Sequence, residues 1–255
     1  MYQGIRMPGR QSLLDGVVMA QTSLRDSGIR PMEGFYASEV RMPRPRPMQT
    51  FLPMGYEPNY PYPLIVFLHG HGSSEERVLK LAPKLSRRNF ICIALRGNEV
   101  AEARGNGKIG YSWNLSDSAV EDYVFKSIEQ TRRQFHVHSE RIFLAGICEG
   151  SSQAYGLAMA NGPSFAGVIS LNGCMPRVNR PLLRPNAVRH LQVFIGHGVA
   201  NSVTPMSMAR EDHKLLYSAG LDVSFNSYAT NHRIHENMLR DVNRWVIDRI
   251  QKMDA

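Results

Sequence analysis

Cysteine is scarce in this chain, with three in 255 residues. Three cannot all pair, and neither a CxxC spacing nor a Cys/His finger pattern occurs, which excludes a disulfide framework or a zinc module as the organising principle. No apolar run approaches the ~20 residues needed to span a bilayer. The opening stretch, MYQGIRMPGRQSLLDGVVMAQ, has no uninterrupted apolar segment leading to a small-residue cleavage site, so an intracellular, cytoplasmic location is expected. Internal repeats are also missing. The net charge is +8, yet the basic residues are scattered, many of them arginines beside prolines (Arg41, Arg44, Arg46, then Arg177, Arg180, Arg184). No helix-turn-helix or RNA-recognition motif accompanies them, so no nucleic-acid partner is expected. A basic surface of this kind can still attract an anionic substrate or an acidic carrier protein.

What is present is an ordinary globular composition, 43% hydrophobic and 20% charged, with enough length for one α/β domain. Residues 1–34 read as a polar N-terminal arm and residues 35–255 as the folded domain. Two strand-like pieces flank PRPRP, whose prolines cannot serve a central ladder and imply a turn or a sheet edge. The continuous run Leu64-Ile65-Val66-Phe67-Leu68 reads as a strand buried on both faces. Alternation then begins: SEERVLKLAPKLSRR as helix, FICIAL as strand, SDSAVEDYVFKSIEQTRRQF as an amphipathic helix with Val120, Val124, Ile128 and Phe135 on one stripe. RIFLAG, AGVISLNG, LQVFIGHG and DVSFNSYA read as further strands, separated by helices and followed by a final one, HENMLRDVNRWVIDRIQKM. Strands alternating with helices imply right-handed crossovers and a mostly parallel central sheet with helices on both faces and no separate large cap domain.

In such sheets chemistry gathers at the carboxyl ends of the strands. Four polar groups follow strands there: His69-Gly70-His71-Gly72, Cys148, the segment from His197 to Asn201, and His232. The stretch Gly146-Ile147-Cys148-Glu149-Gly150 has the form G-x-S-x-G with sulfur in place of oxygen, set between a strand and a helix. Small neighbours at minus two and plus two suit a strained strand-turn-helix elbow, and the following helix N-terminus favours a thiolate. Cys148 is therefore the candidate nucleophile, while Cys92 inside FICIAL reads as a small core hydrophobe. His232 is the candidate base, with His235 a competitor placed where a capping residue belongs. In the loop Val199-Ala200-Asn201-Ser202-Val203-Thr204-Pro205 the side chain suited to orient that histidine is Asn201, since Glu211 and Asp212 lie inside the next helix. Asn201 can accept from an imidazole N–H, and Cys-His-Asn is an attested arrangement on another fold. The N–H groups of His71 and Glu149 are the candidate oxyanion donors, with Gly70 permitting close approach. Trp113 is a candidate pocket-lining residue. A metal centre is not expected: His136 and His138 belong at the amino end of a strand, and the other histidines lack carboxylate ligands nearby.

Taken in order, TFLPMGYEP…YPLIVFLHGHGS, RIFLAGICEGSSQAYGLAM, VFIGHGVANSVTP and YATNHRIHENMLRDVNRWV resemble the α/β-hydrolase superfamily, specifically esterases of the phospholipase/carboxylesterase and dienelactone-hydrolase type, over about residues 35 to 250. The resemblance implies the α/β-hydrolase fold and a nucleophile–base–acid triad at Cys148, His232 and Asn201. The family generally has serine where Cys148 stands, although dienelactone hydrolases and polyhydroxyalkanoate synthases carry cysteine, and it has aspartate where Asn201 stands. Three functions follow as expectations. The first is an esterase or thioesterase working through a Cys148 acyl-thioester on a small-molecule substrate, free or carrier-bound, without a cofactor. The second is an acyltransferase passing the acyl group to an amine or alcohol, for which the long segments 96–114 and 174–190 could shield the site from water. The third is a non-catalytic binding protein that kept the fold.

Overall fold

The structure is a computed structural model, and it describes residues 31–101, 109–113, 117–177, 188 and 190–253. The N-terminal arm to residue 30 thus lies outside the described residues, as do residues 102–108 and 114 of the segment 96–114 and residues 178–187 and 189 of the segment 174–190, both expected to rim the site. Ten strands are described: β1 (Gly34–Val40), β2 (Arg46–Leu52), β3 (Tyr62–Leu68), β4 (Ile91–Leu95), β5 (Glu99–Ala101), β6 (Gly110–Ser112), β7 (Val137–Ile147), β8 (Gly167–Leu171), β9 (Gln192–Gly198) and β10 (Asp222–Tyr228). Six α-helices lie in full among the described residues: α1 (Glu75–Leu79), α2 (Ala82–Leu85), α3 (Asp117–Gln134), α4 (Glu149–Ala160), α5 (Met206–Ser218) and α6 (Glu236–Met253).

Eight strands form one sheet in the order β1-β2-β4-β3-β7-β8-β9-β10, while β5 and β6 make a separate hairpin. β1 pairs antiparallel with β2, and β2 with β4; every other pairing in the large sheet is parallel. The proline run accordingly sits where pairing ends: Pro43 and Pro45 fall in the β1–β2 connection and Pro47 lies opposite Glu39 of the edge strand. All seven residues of β3 are buried, as expected of a strand covered on both faces. Successive residues serve opposite cores: Leu64, Val66 and Leu68 pack with α3, α4 and α5, whereas Ile65 and Phe67 pack with α1, α2 and α6. The stripe of α3 is as the spacing predicts, with Val120, Val124, Ile128 and Phe135 all buried.

The stretch after Ser74 departs from the single helix its sequence suggests. It breaks at Leu81 and restarts as α2, with Pro83 in the first turn. Proline has no N–H to donate and its ring would strike the carbonyl four residues back, so a continuous helix cannot pass through it. Among the described residues no helix is long and apolar enough to cross a membrane.

Candidate active site

The turn between β7 and α4 carries Cys148 at φ 53° and ψ −118°, a conformation that costs a non-glycine residue free energy and persists only when its surroundings enforce it. They do so by crowding. A Cβ at Gly146 would lie 2.3 Å from the Gly150 carbonyl oxygen, and one at Gly150 would lie 2.1 Å from that of Leu68. Strand, turn and helix thus approach as closely as backbones can. The Cys148 N–H donates to Leu171 O at 3.0 Å, tying the elbow to the end of β8. Cys148 is half-buried at the N-terminus of the 12-residue helix α4, whose first N–H groups have no intrahelical partner and favour negative charge on the sulfur.

The histidine and its orienter meet across two loops. β9 and β10 run parallel and end in register, Gly198 opposite Tyr228, so the loops that follow leave the sheet side by side. His232 Nδ1 lies 2.9 Å from Asn201 Oδ1. The same oxygen accepts the N–H groups of Val203 and Thr204, each at 3.1 Å. Three donors therefore converge on it, which settles the amide orientation, because a rotated amide would set its NH2 against all three. The imidazole Nδ1 consequently carries a proton and Nε2 is the nitrogen left for chemistry. On the other side Asn201 Nδ2 is 3.3 Å from Nε2 of buried His197. That nitrogen is 2.7 Å from Thr204 O and must donate to it, so Asn201 presents a donor to a donor. Burial lowers the His197 pKa and keeps this ring neutral. His235, the competitor, caps α6: its Nδ1 accepts the Asn237 N–H at 3.1 Å.

The loop after β3, the candidate oxyanion loop, is held from behind. A Cβ at Gly70 would come within 2.9 Å of the Cys148 Cβ and 3.7 Å of its sulfur, so the loop after β3 lies directly against Cys148. His69 is fully buried, accepts the Gly97 N–H on Nε2 at 2.9 Å and directs Nδ1 to Gly70 O at 2.9 Å. Its tautomer is fixed and burial lowers its pKa, so it acts as a strut. Trp113 is 6% exposed, and its indole N–H donates to His69 O at 2.8 Å. The structure thus places this residue behind the loop after β3 as a brace, where its indole serves His69. A buried ion pair adds to the support: Glu75 receives both Nη2 and Nε of Arg96, which itself lies 4.6 Å above the Tyr111 ring.

Two residues that join the candidate site's loops have no signature in the sequence. Asn172 follows β8 with φ 52° and is fully buried. Its Oδ1 accepts the Gly198 N–H at 2.8 Å and its Nδ2 donates to Arg233 O at 3.1 Å. It joins the loop bearing Asn201 to the loop bearing His232, one residue from the carbonyl that holds the Cys148 N–H. The other is Ser112, whose hydroxyl lies 2.7 and 2.9 Å from the two carboxylate oxygens of Glu149. Asp212, whose carboxylate reaches the loop after β8, accepts the Met175 N–H at 2.7 Å and pairs with Arg177 at 3.0 Å.

The chain matches the phospholipase/carboxylesterase family over residues 58–248. Its structure is similar to that of a carboxylesterase from Mesorhizobium loti (17% identity, covering 79% of this chain and 94% of that one, TM-score 0.65). A putative dienelactone hydrolase from Klebsiella pneumoniae is comparable (15% identity, 86% and 97% covered, TM-score 0.63). So is a ferulic acid esterase from Anaeromyces mucronatus (16% identity, 85% and 90% covered, TM-score 0.62). At such identities the likeness establishes the fold, which is that of the α/β hydrolases. Fold, motif order and family match agree: this chain belongs to the phospholipase/carboxylesterase family.

Proposed function

We propose that this esterase-type hydrolase cleaves a small-molecule ester or thioester through an acyl-thioester on Cys148. His232 Nε2 takes the thiol proton, and the sulfur attacks the carbonyl carbon. The resulting oxyanion is met by the N–H groups of His71 and Glu149. Collapse expels the alcohol or thiol, which leaves with the proton held by His232. Water then attacks the thioester while His232 accepts its proton, and the acid departs with Cys148 restored. Asn201 keeps the ring oriented throughout and lends its oxygen to the imidazolium, without taking up a proton.

What supports this is the left-handed backbone of Cys148 at a helix N-terminus, on the same sheet edge as a histidine whose Nδ1 is held at 2.9 Å by an amide oxygen. Strain in a non-glycine residue at such an elbow has no structural use, and it projects the side chain clear of the sheet. An amide suffices as orienter because a thiol ionises far more readily than an alcohol. The test is intact-mass trapping after mixing with a panel of p-nitrophenyl esters and acyl thioesters. An adduct of acyl mass on Cys148, absent in Cys148→Ala together with turnover, is the expected result. Turnover retained by Cys148→Ala would refute the mechanism.

A further inference from the structure

The two residues assigned to the oxyanion hole also have their side chains linked. Glu149 extends from the first turn of α4 across to β6, where Ser112 Oγ lies between its carboxylate (2.7 and 2.9 Å) and His71 Nδ1 (3.1 Å). A carboxylate only accepts, so the hydroxyl proton goes to Glu149, and His71 Nδ1–H then donates to the hydroxyl oxygen. The hairpin carrying Ser112 is fastened to the oxyanion loop, since Gly72 N–H donates to Tyr111 O at 3.0 Å and Tyr111 N–H donates to Ser73 O at 2.7 Å. Glu149 therefore sits on the rim of the site, one residue from the nucleophile.

Its position leaves it short of partners. The Glu149 side chain is 28% exposed, and its described contacts are one hydroxyl and the His71 ring at 3.9 Å. A carboxylate has about four acceptor positions, and these protein contacts fill only part of them, leaving the rest to solvent or a bound group. Among the described arginines, Arg96 pairs with Glu75, Arg177 with Asp212 and Glu211, and Arg77 Nη1 donates to Gly72 O in the loop after β3. On a chain of net charge +8, the group beside the reacting sulfur is thus a negative one that, among the described residues, pairs with no lysine or arginine.

We propose that the Glu149 carboxylate, held by Ser112 and His71, is a charge-selecting element of the site that favours substrates carrying a cationic group near the scissile carbonyl and disfavours those carrying a carboxylate there. A cation placed there would be attracted by the carboxylate, and an anion would be repelled. This rests on the assignment of Cys148 and its oxyanion donors, but it is testable without turnover. Modification of Cys148 by a cationic methanethiosulfonate (trimethylammonioethyl) and an anionic one (sulfonatoethyl) reads the local potential directly. Rates are taken on the full chain by intact mass and peptide mapping and normalised to a small free thiol.

The wild-type protein should prefer the cationic reagent. Glu149→Gln, whose amide oxygen can still accept from Ser112, should lower the cation-to-anion ratio by about tenfold, the effect of one charge several ångströms away at a half-exposed site. Glu140→Gln, an exposed acid at the far end of β7, controls for net charge and should leave the ratio unchanged. The p-nitrophenyl esters of 4-trimethylammoniobutanoate and hemisuccinate should follow the same order in kcat/KM. An unchanged ratio in Glu149→Gln, or an anionic preference in the wild type, would overturn the proposal and leave Glu149 a brace for the oxyanion loop. A Glu149-dependent ratio without any acyl adduct would instead refute the Cys148 mechanism while upholding the charge selection.

Discussion

Asn201→Asp is the perturbation that most directly probes how the histidine is held. The oxygen that now receives Val203 N–H, Thr204 N–H and His232 Nδ1–H would be retained, and the 5%-exposed position is already lined with donors. The second carboxylate oxygen would replace Nδ2 and face the His197 Nε2 proton, turning a donor–donor approach at 3.3 Å into an acceptor–donor one. A hydrogen bond to a charged group contributes ~1.5–3 kcal/mol against ~0.5–1.5 for a neutral one, so imidazolium gains roughly 1 kcal/mol. That corresponds to a three- to tenfold rise in kcat/KM at ~1.4 kcal/mol per tenfold. The negative charge raises the His232 pKa, so where deacylation limits, the acid limb of the pH–rate profile moves to higher pH. Asn201→Ala is the opposite case. It strips two backbone N–H groups of their acceptor at about 1–3 kcal/mol each, lowers Tm by several degrees, and should cost more than tenfold in turnover. Steady-state kinetics from pH 5 to 9 with thermal denaturation on both variants provide the assay. Wild-type kinetics in Asn201→Ala, or an unshifted pH profile in Asn201→Asp, would refute this account and leave Cys148 and His232 working as a dyad.

Three other outcomes are expected. Asn172→Gly keeps the left-handed φ of 52° and removes both loop-joining bonds, so kcat should fall at least about tenfold with KM little changed and Cys148 still open to alkylation; a KM-only effect would argue against a positioning role. Iodoacetamide near pH 7 should label Cys148 well before Cys92, whose thiol burial pushes far up, and before Cys174, which burial also pushes up; equal sluggishness of all three by peptide mapping would count against an activated nucleophile. Stability should fall on acidification. Burial lowers the pKa of both His69 and His197, so below the ordinary value of 6.5 the unfolded chain binds protons that the folded chain refuses. Chemical denaturation from pH 7.5 to 5 should show that loss, and His197→Gln, whose amide can still donate to Thr204 O, should flatten the slope.

Local features were legible from the residues alone because their causes are local. The unbroken apolar run of β3 follows from burial on both faces, and the α3 stripe from helical periodicity. The elbow was legible because Gly146 and Gly150 bracket Cys148 between a strand and a helix. Asn201 could be singled out because the loop offered no carboxylate, and His235 could be assigned to a cap from its place before the last helix. The break before α2 was legible in principle, since Pro83 was present, but the apolar spacing around it favoured one helix. Trp113 was assigned to the pocket wall from chain position, and only packing reveals its indole donating to His69 O. Tertiary structure alone decided the contacts that span the sheet order. Asn172 reaches Arg233 across 61 positions and Gly198 across 26, and Ser112 reaches Glu149 across 37. An asparagine after a strand and a serine in a hairpin carry no pattern of their own; their roles arise where parallel strands end in register and bring distant loops within one hydrogen bond of each other.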